Sequence, residues 1–183
     1  MDALVQCIEP FCTHLATPLS DVFARRGIEL ASGALRRAYH EPGDLEARDA
    51  MALAGLYRCT SSHTRSHPRS LADTHLLDTR PCSGLALANS KLGSVHGFAG
   101  VLGGMFPRAP HGAVCGRLLP GCWRANHAAL AARGDDAQSR RALARMEEAA
   151  RVVVGRPDAT VEEAGAWMGD LVGELGVPGL AEW

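Results

Sequence analysis

The stretch Ser94–Pro120, SVHGFAGVLGGMFPRAPHGAVCGRLLP, decides how the rest of the chain is read. It holds His96 and His111, each followed by glycine and each set in an apolar segment where a bare imidazole needs a reason to be. The pair Gly103 and Gly104 can end one helix, and Pro110 can open the next. His96 then lies within a helix and His111 in the first turn of another. Taken alone, a histidine on an apolar helix is more often a hydrogen-bonded core residue than a ligand. Two of them in neutral form can converge on one ion.

A third group comes from the start of the chain. MDALVQCIEPFCTHL places Leu4, Ile8, Phe11 and Leu15 at helical spacing, and the four-residue step from Asp2 to Gln6 stacks both side chains on one face. Two imidazole nitrogens and a carboxylate suit Fe(II) or Zn(II) with at least one position open for substrate.

The segments MDALVQCIEP and GLALANSKLGSVHGFAGVLGGMFPRAPHGAVCGRLLP together resemble the C-terminal metal-binding domain of the iron-containing alcohol dehydrogenases. That group includes the maleylacetate reductases and shares the dehydroquinate synthase-like fold. The likeness spans most of the chain apart from residues 58 to 83. It implies an all-α helical bundle, with the family's N-terminal α/β nucleotide domain missing from this sequence. It also implies four metal ligands: Asp2 and Gln6 from the D-x-x-x-H motif, His96 from the H-G motif and His111 from P-H-G. The family usually has His where Gln6 stands, which leaves Gln6 either a ligand or the polar lining beside one. A second family histidine, often near the nicotinamide, would fall on Gly100, and Arg108 is the extra residue in a segment one longer than the usual pattern.

Composition agrees with a helical reading. A chain of 183 residues, 46% hydrophobic, is long enough for one domain with a sizeable core. Aromatics make up only 5% while alanine, leucine and glycine dominate, which suits closely packed helices better than a sheet. A net charge of -1 gives no general attraction to nucleic acid or an anionic membrane. No segment has the length of a transmembrane helix, and the N-terminus lacks the basic start and apolar run of a signal peptide. The six cysteines show no CxxC, so reduced thiols in a cytoplasmic compartment are the default, with Cys7, Cys115 and Cys122 as small core residues.

In order, the pattern predicts a second helix capped by Ser20 or Asp21, with Val22, Phe23, Ile28, Leu30, Ala31, Leu35 and Ala38 as its apolar positions. A third is capped by Asp44 and turns Leu45, Met51, Ala52, Leu53 and Leu56 inward. Residues 58–83, rich in Ser, Thr, Arg and His, read as a disordered or irregular insertion of the kind a translated intron makes. Cys59, His63, His67, His75 and Cys82 match no zinc spacing there. Later come a bend at Pro120-Gly121, a core Trp123, a helix begun by Asp135 or Asp136, and a last helix opened by the Thr160/Glu163 capping box. His14, His40 and His127 read as structural or solvated.

The expected function is a metal-dependent alcohol dehydrogenase or aldehyde reductase domain acting on a small alcohol or aldehyde. In the family the metal polarises the substrate oxygen, and NAD or NADP comes from the separate domain. Both ends resemble cuts within a longer protein, and the chain alone is expected not to turn over alcohols. A homodimer is open as its assembly. Two other classes remain, a helical domain that keeps the fold without the chemistry and a helical interaction scaffold.

Overall fold

The computed structural model describes residues 1–58, 92–134 and 136–183, and every regular element among them is helical. The expected insertion at 58–83, with its cysteines and histidines, lies outside the described residues save for the backbone of Arg58. The helices are α1 (Asp2–Cys12), α2 (Pro18–His40), α3 (Leu45–Arg58), α4 (Ser94–Met105), α5 (His111–Ala132), α6 (Ala137–Val154) and α7 (Val161–Glu174), followed by a 3-10 turn at Leu180–Glu182. None is long and apolar enough to cross a membrane.

Helix α1 is the hub. Leu4, Val5, Cys7, Ile8, Pro10 and Phe11 are all buried, because α2, α3, α5 and α6 pack around it, and a helix apolar on most sides needs such cover. Its last turn is tied down by Arg145 of α6, whose Nε donates to the Phe11 carbonyl at 2.5 Å while the guanidinium lies over the Phe11 ring and pairs with Asp21. That carbonyl is one of those a helix end leaves without an internal partner. Beyond it, Thr13 turns extended, so Leu15 leaves the helical register and is exposed.

Helix α2 starts earlier than the sequence pattern suggests. Thr17, not Ser20 or Asp21, is the cap, and it exchanges hydrogen bonds with Ser20 over Pro18 at the first helical position. Its inner stripe is Ser20, Ala24, Gly27, Ile28, Ala31 and Ala34. Val22 lies off that stripe and is exposed. In α3 the Asp44 cap is present, its Oδ1 accepting from Ala47 N at 3.0 Å. The face turned inward, however, carries Ala47 and Ala54, leaving Leu45, Ala52 and Leu53 exposed. Both differences have one cause, since small residues let two helices approach closely and the packed stripe follows them.

Further on, the Gly103-Gly104 pair does not stop α4, which continues to Met105 and closes when Phe106 N donates to Leu102 O at 2.7 Å. Neither glycine has the positive φ of a left-handed cap, which belongs to Gly134, Gly155 and Gly176. Helix α5 runs unbroken through Pro120. Trp123 is buried, with Nε1 donating to Val161 O at 2.8 Å. Asp136 caps α6, and the Thr160/Glu163 box opens α7.

Candidate metal centre

Three helix beginnings meet at one point. Asp2 opens α1, His96 sits in the first turn of α4 and His111 is the first residue of α5. The close approach of α1 to α5 is possible because Gly112 and Gly116 present no side chain there. A Cβ at Gly112 would stand 3.2 Å from Asp2 Cβ, and one at Gly116 would stand 2.9 Å from Met1 Cγ. Arg108 lies in an exposed turn closed by Ala109 N to Phe106 O at 3.0 Å. His111 reaches the cluster.

Asp2, His96, His111 and Cys115 each offer a ligand atom, and these atoms all lie within 4.8 Å of one another. His96 Nε2 is 3.3 Å from Asp2 Oδ1, His111 Nε2 is 3.9 Å from the same oxygen, and Cys115 Sγ is 3.5 Å from His111 Nε2. Metal bonds of about 2.0–2.1 Å to nitrogen or oxygen and about 2.3 Å to sulfur put donors on a tetrahedral edge about 3.3 Å apart for N and O, and about 3.5 Å apart for N and S. Two of the three separations match such edges and the His111–Asp2 pair is wider, a cluster of a size that suits a divalent ion. So does one further feature, for His96 Nε2 is buried and has no hydrogen-bond partner among the described residues although Asp2 is close by.

Gln6 is adjacent but differently engaged, its Nε2 donating to Asp2 Oδ2 at 3.1 Å while its Oε1 is buried without a hydrogen-bond partner among the described residues. Gly100 is one turn beyond His96, and a Cβ there or at Gly103 meets nothing within 4 Å, so this face of α4 leaves open room.

Sequence reasoning missed Glu9. Its Oε1 accepts from Val95 N at 2.7 Å, satisfying a donor at the start of α4, and its Oε2 lies 2.6 Å from His96 Nδ1. Both side chains are only 7% exposed. A carboxylate on Nδ1 fixes the ring and leaves Nε2 to point into the cluster, which is how metal-binding imidazoles are usually held. Gly93 makes this possible, because a Cβ on it would be 2.7 Å from Glu9 Oε1. The signal that could have found Glu9 is a carboxylate one turn past Gln6 on an otherwise apolar helix. Glu9→Gln is expected to weaken metal binding by about 10–100-fold, read by competition with a chelating dye, while the helical circular dichroism stays unchanged.

Electrostatically the site is a cation trap. Burial works against a charged His96, but the Asp2 carboxylate, the Cys115 side chain and Glu9 outweigh it and raise the imidazole pKa to about 11. Without metal, His96 therefore holds a proton whose place a divalent ion can take. The remaining expected bystanders behave as such, with His40 near Glu174 and His127 near Glu162 at the surface.

The sequence matches the family model for the Fe-containing alcohol dehydrogenase family, C-terminal, over residues 1–181. It is 31% identical to alcohol dehydrogenase 4 of Saccharomyces cerevisiae over 126 residues, covering 69% of this chain and 26% of the relative. It is 32% identical to 1,3-propanediol dehydrogenase of Klebsiella pneumoniae with the same coverage. The fold matches the crystal structure of a 1,3-propanediol oxidoreductase with a TM-score of 0.71 at 26% identity, over 97% of this chain and 38% of that one. The chain thus spans about a quarter of the length of these curated relatives.

Proposed function

Because this chain belongs to the iron-containing alcohol dehydrogenase family and corresponds to its C-terminal part, we propose that it is the metal-holding half of an NAD(P)-dependent alcohol dehydrogenase or aldehyde reductase, with Asp2, His96 and His111 as ligands. The observation that carries this is the convergence of those three groups, with His96 Nε2 buried 3.3 Å from Asp2 Oδ1 and without a hydrogen-bond partner among the described residues. A bound divalent ion supplies Lewis acidity, polarising the oxygen of a small alcohol or aldehyde. Iron(II) and zinc(II) both suit imidazole and carboxylate donors.

The chain's own residues do the positioning. Asp2 contributes the negative charge, held by the Gln6 amide. Glu9 orients His96. Gly100 and Gly103 leave space beside His96 for the carbon skeleton of the substrate. The described residues offer no strand-to-helix glycine turn for a pyrophosphate, and metal-dependent NAD(P) reduction by the purified chain alone is not expected.

The test is titration of the full chain with Fe(II) or Zn(II) under anaerobic conditions. Near one equivalent is expected to bind, releasing at least about one proton at pH 7 because the ion displaces the proton on His96. Since that proton is held up to about pH 11, apparent affinity should rise with pH through the neutral range. Calorimetry in buffers of different ionisation enthalpy measures the release. A chain that binds no metal, or binds it with no proton released, would defeat the assignment.

A further inference from the structure

We propose that the thiolate of Cys115 is the fourth protein ligand of this centre, in the place that Gln6 would otherwise fill, and that the resulting carboxylate, two-imidazole and thiolate set takes Zn(II) in preference to Fe(II). The proposal rests on the metal assignment above and goes beyond it in naming a donor and a metal preference.

Cys115 lies one turn along α5 from His111, so the helix itself places its side chain beside the imidazole. Its residue is fully buried, as expected of a small core thiol. The sulfur nevertheless does not sit only among apolar atoms. It stands 3.5 Å from His111 Nε2 and within 4.8 Å of the ligand atoms of Asp2 and His96, at the nitrogen-to-sulfur separation of about 3.5 Å that a tetrahedral zinc edge requires.

Gln6 supplies the second half of the argument. Only an amide nitrogen can donate to a carboxylate, so the 3.1 Å contact with Asp2 Oδ2 commits the Gln6 nitrogen to that oxygen. In this arrangement Gln6 positions Asp2 through its nitrogen, leaving Asp2 Oδ1 to face the two imidazoles, while Gln6 Oε1 stays buried without a hydrogen-bond partner among the described residues. Where the family pattern has an imidazole donor at this motif position, Gln6 offers none, and the α5 sulfur is a further donor within reach of the cluster. On coordination the thiol proton passes to solvent and the sulfur lone pair forms the bond. A thiolate in place of a nitrogen makes the donor set softer, which favours zinc over iron(II).

Cobalt(II) tests this on the full chain, because a cobalt thiolate shows an intense near-ultraviolet charge-transfer band that cobalt with only oxygen and nitrogen donors lacks. The cobalt-loaded wild-type chain is expected to show the band, with the four protein donors leaving a fifth position for the substrate oxygen. Cys115→Ser should lose the band and bind zinc at least about tenfold more weakly, as loss of a donor exceeds the mildest loss of an outer partner. Cys122→Ser should keep it, and His96→Ala should lose both cobalt and band.

Cobalt bound with no thiolate band in the wild-type chain overturns the proposal and leaves the metal centre standing, and this measurement needs no variant to fold. A Cys115→Ser chain that keeps the band also overturns it. Failure of the wild-type chain to bind cobalt or zinc at all overturns both readings.

Discussion

Replacing His96 with alanine is expected to reduce bound metal from near one equivalent to background. His96 offers the buried nitrogen around which the other donors gather, and two α-helices depend on it for their mutual placement, α1 through Glu9 and α4 through its own first turn. Losing an outer partner of a metal ligand typically costs about 10–100-fold in affinity, so loss of the ligand itself should cost more. The same change leaves the Glu9 carboxylate with one partner fewer in a buried position, at a cost of about 1–3 kcal/mol in stability. Metal content after dialysis is therefore read beside circular dichroism, at a temperature where the variant is helical. A folded His96→Ala chain that retains near one equivalent would show that the ion, if any, sits elsewhere.

Phe11→Ala is expected to give the largest loss of stability. Phe11 is 2% exposed in the central cluster and lies under the Arg145 guanidinium, 4.7 Å from it. Truncating such a ring removes its burial and leaves a cavity, together about 3–5 kcal/mol. Against a total of about 5–15 kcal/mol for a domain, that is a large share, and it should lower the melting midpoint by roughly 6–20 °C. The damage reaches the metal centre indirectly, because α1 carries Asp2, Gln6 and Glu9 on the same short helix. Metal should therefore restore part of the lost stability, since it binds only the folded form. Urea unfolding with and without zinc measures both effects. A loss below about 1 kcal/mol would mean that α1 is not the hub that its burial indicates.

Much of this was open to reading in the chain itself. Apolar spacing set the helices, and Asp44, Asp136 and Thr160 mark three of their beginnings, because a capping side chain bonds within three residues and needs nothing remote. Asp2, His96 and His111 stood in motifs whose likeness named them as ligands. Local pattern failed where neighbours chose the packed face. Val22, Leu45 and Leu53 are apolar yet exposed, while the buried stripes carry Ser20, Ala24, Gly27 and Ala31 on α2 and Ala47 and Ala54 on α3. Hydrophobicity alone does not tell which stripe of an alanine-rich helix will be covered.

The sequence by itself therefore determined the helical class and the starts of several helices, and its motifs pointed to Asp2, His96 and His111, which the structure brings together, because each depends on residues a few positions apart or on a motif read whole. Only the tertiary structure decided that Glu9 holds His96, that the Gln6 nitrogen is turned towards Asp2, and that the Cys115 sulfur, buried in the core, also stands 3.5 Å from His111 Nε2. Those facts depend on how α1, α4 and α5 are rotated and how closely they approach. Glycines at 93, 112 and 116 set that approach, and no periodicity along one helix records the distance to another.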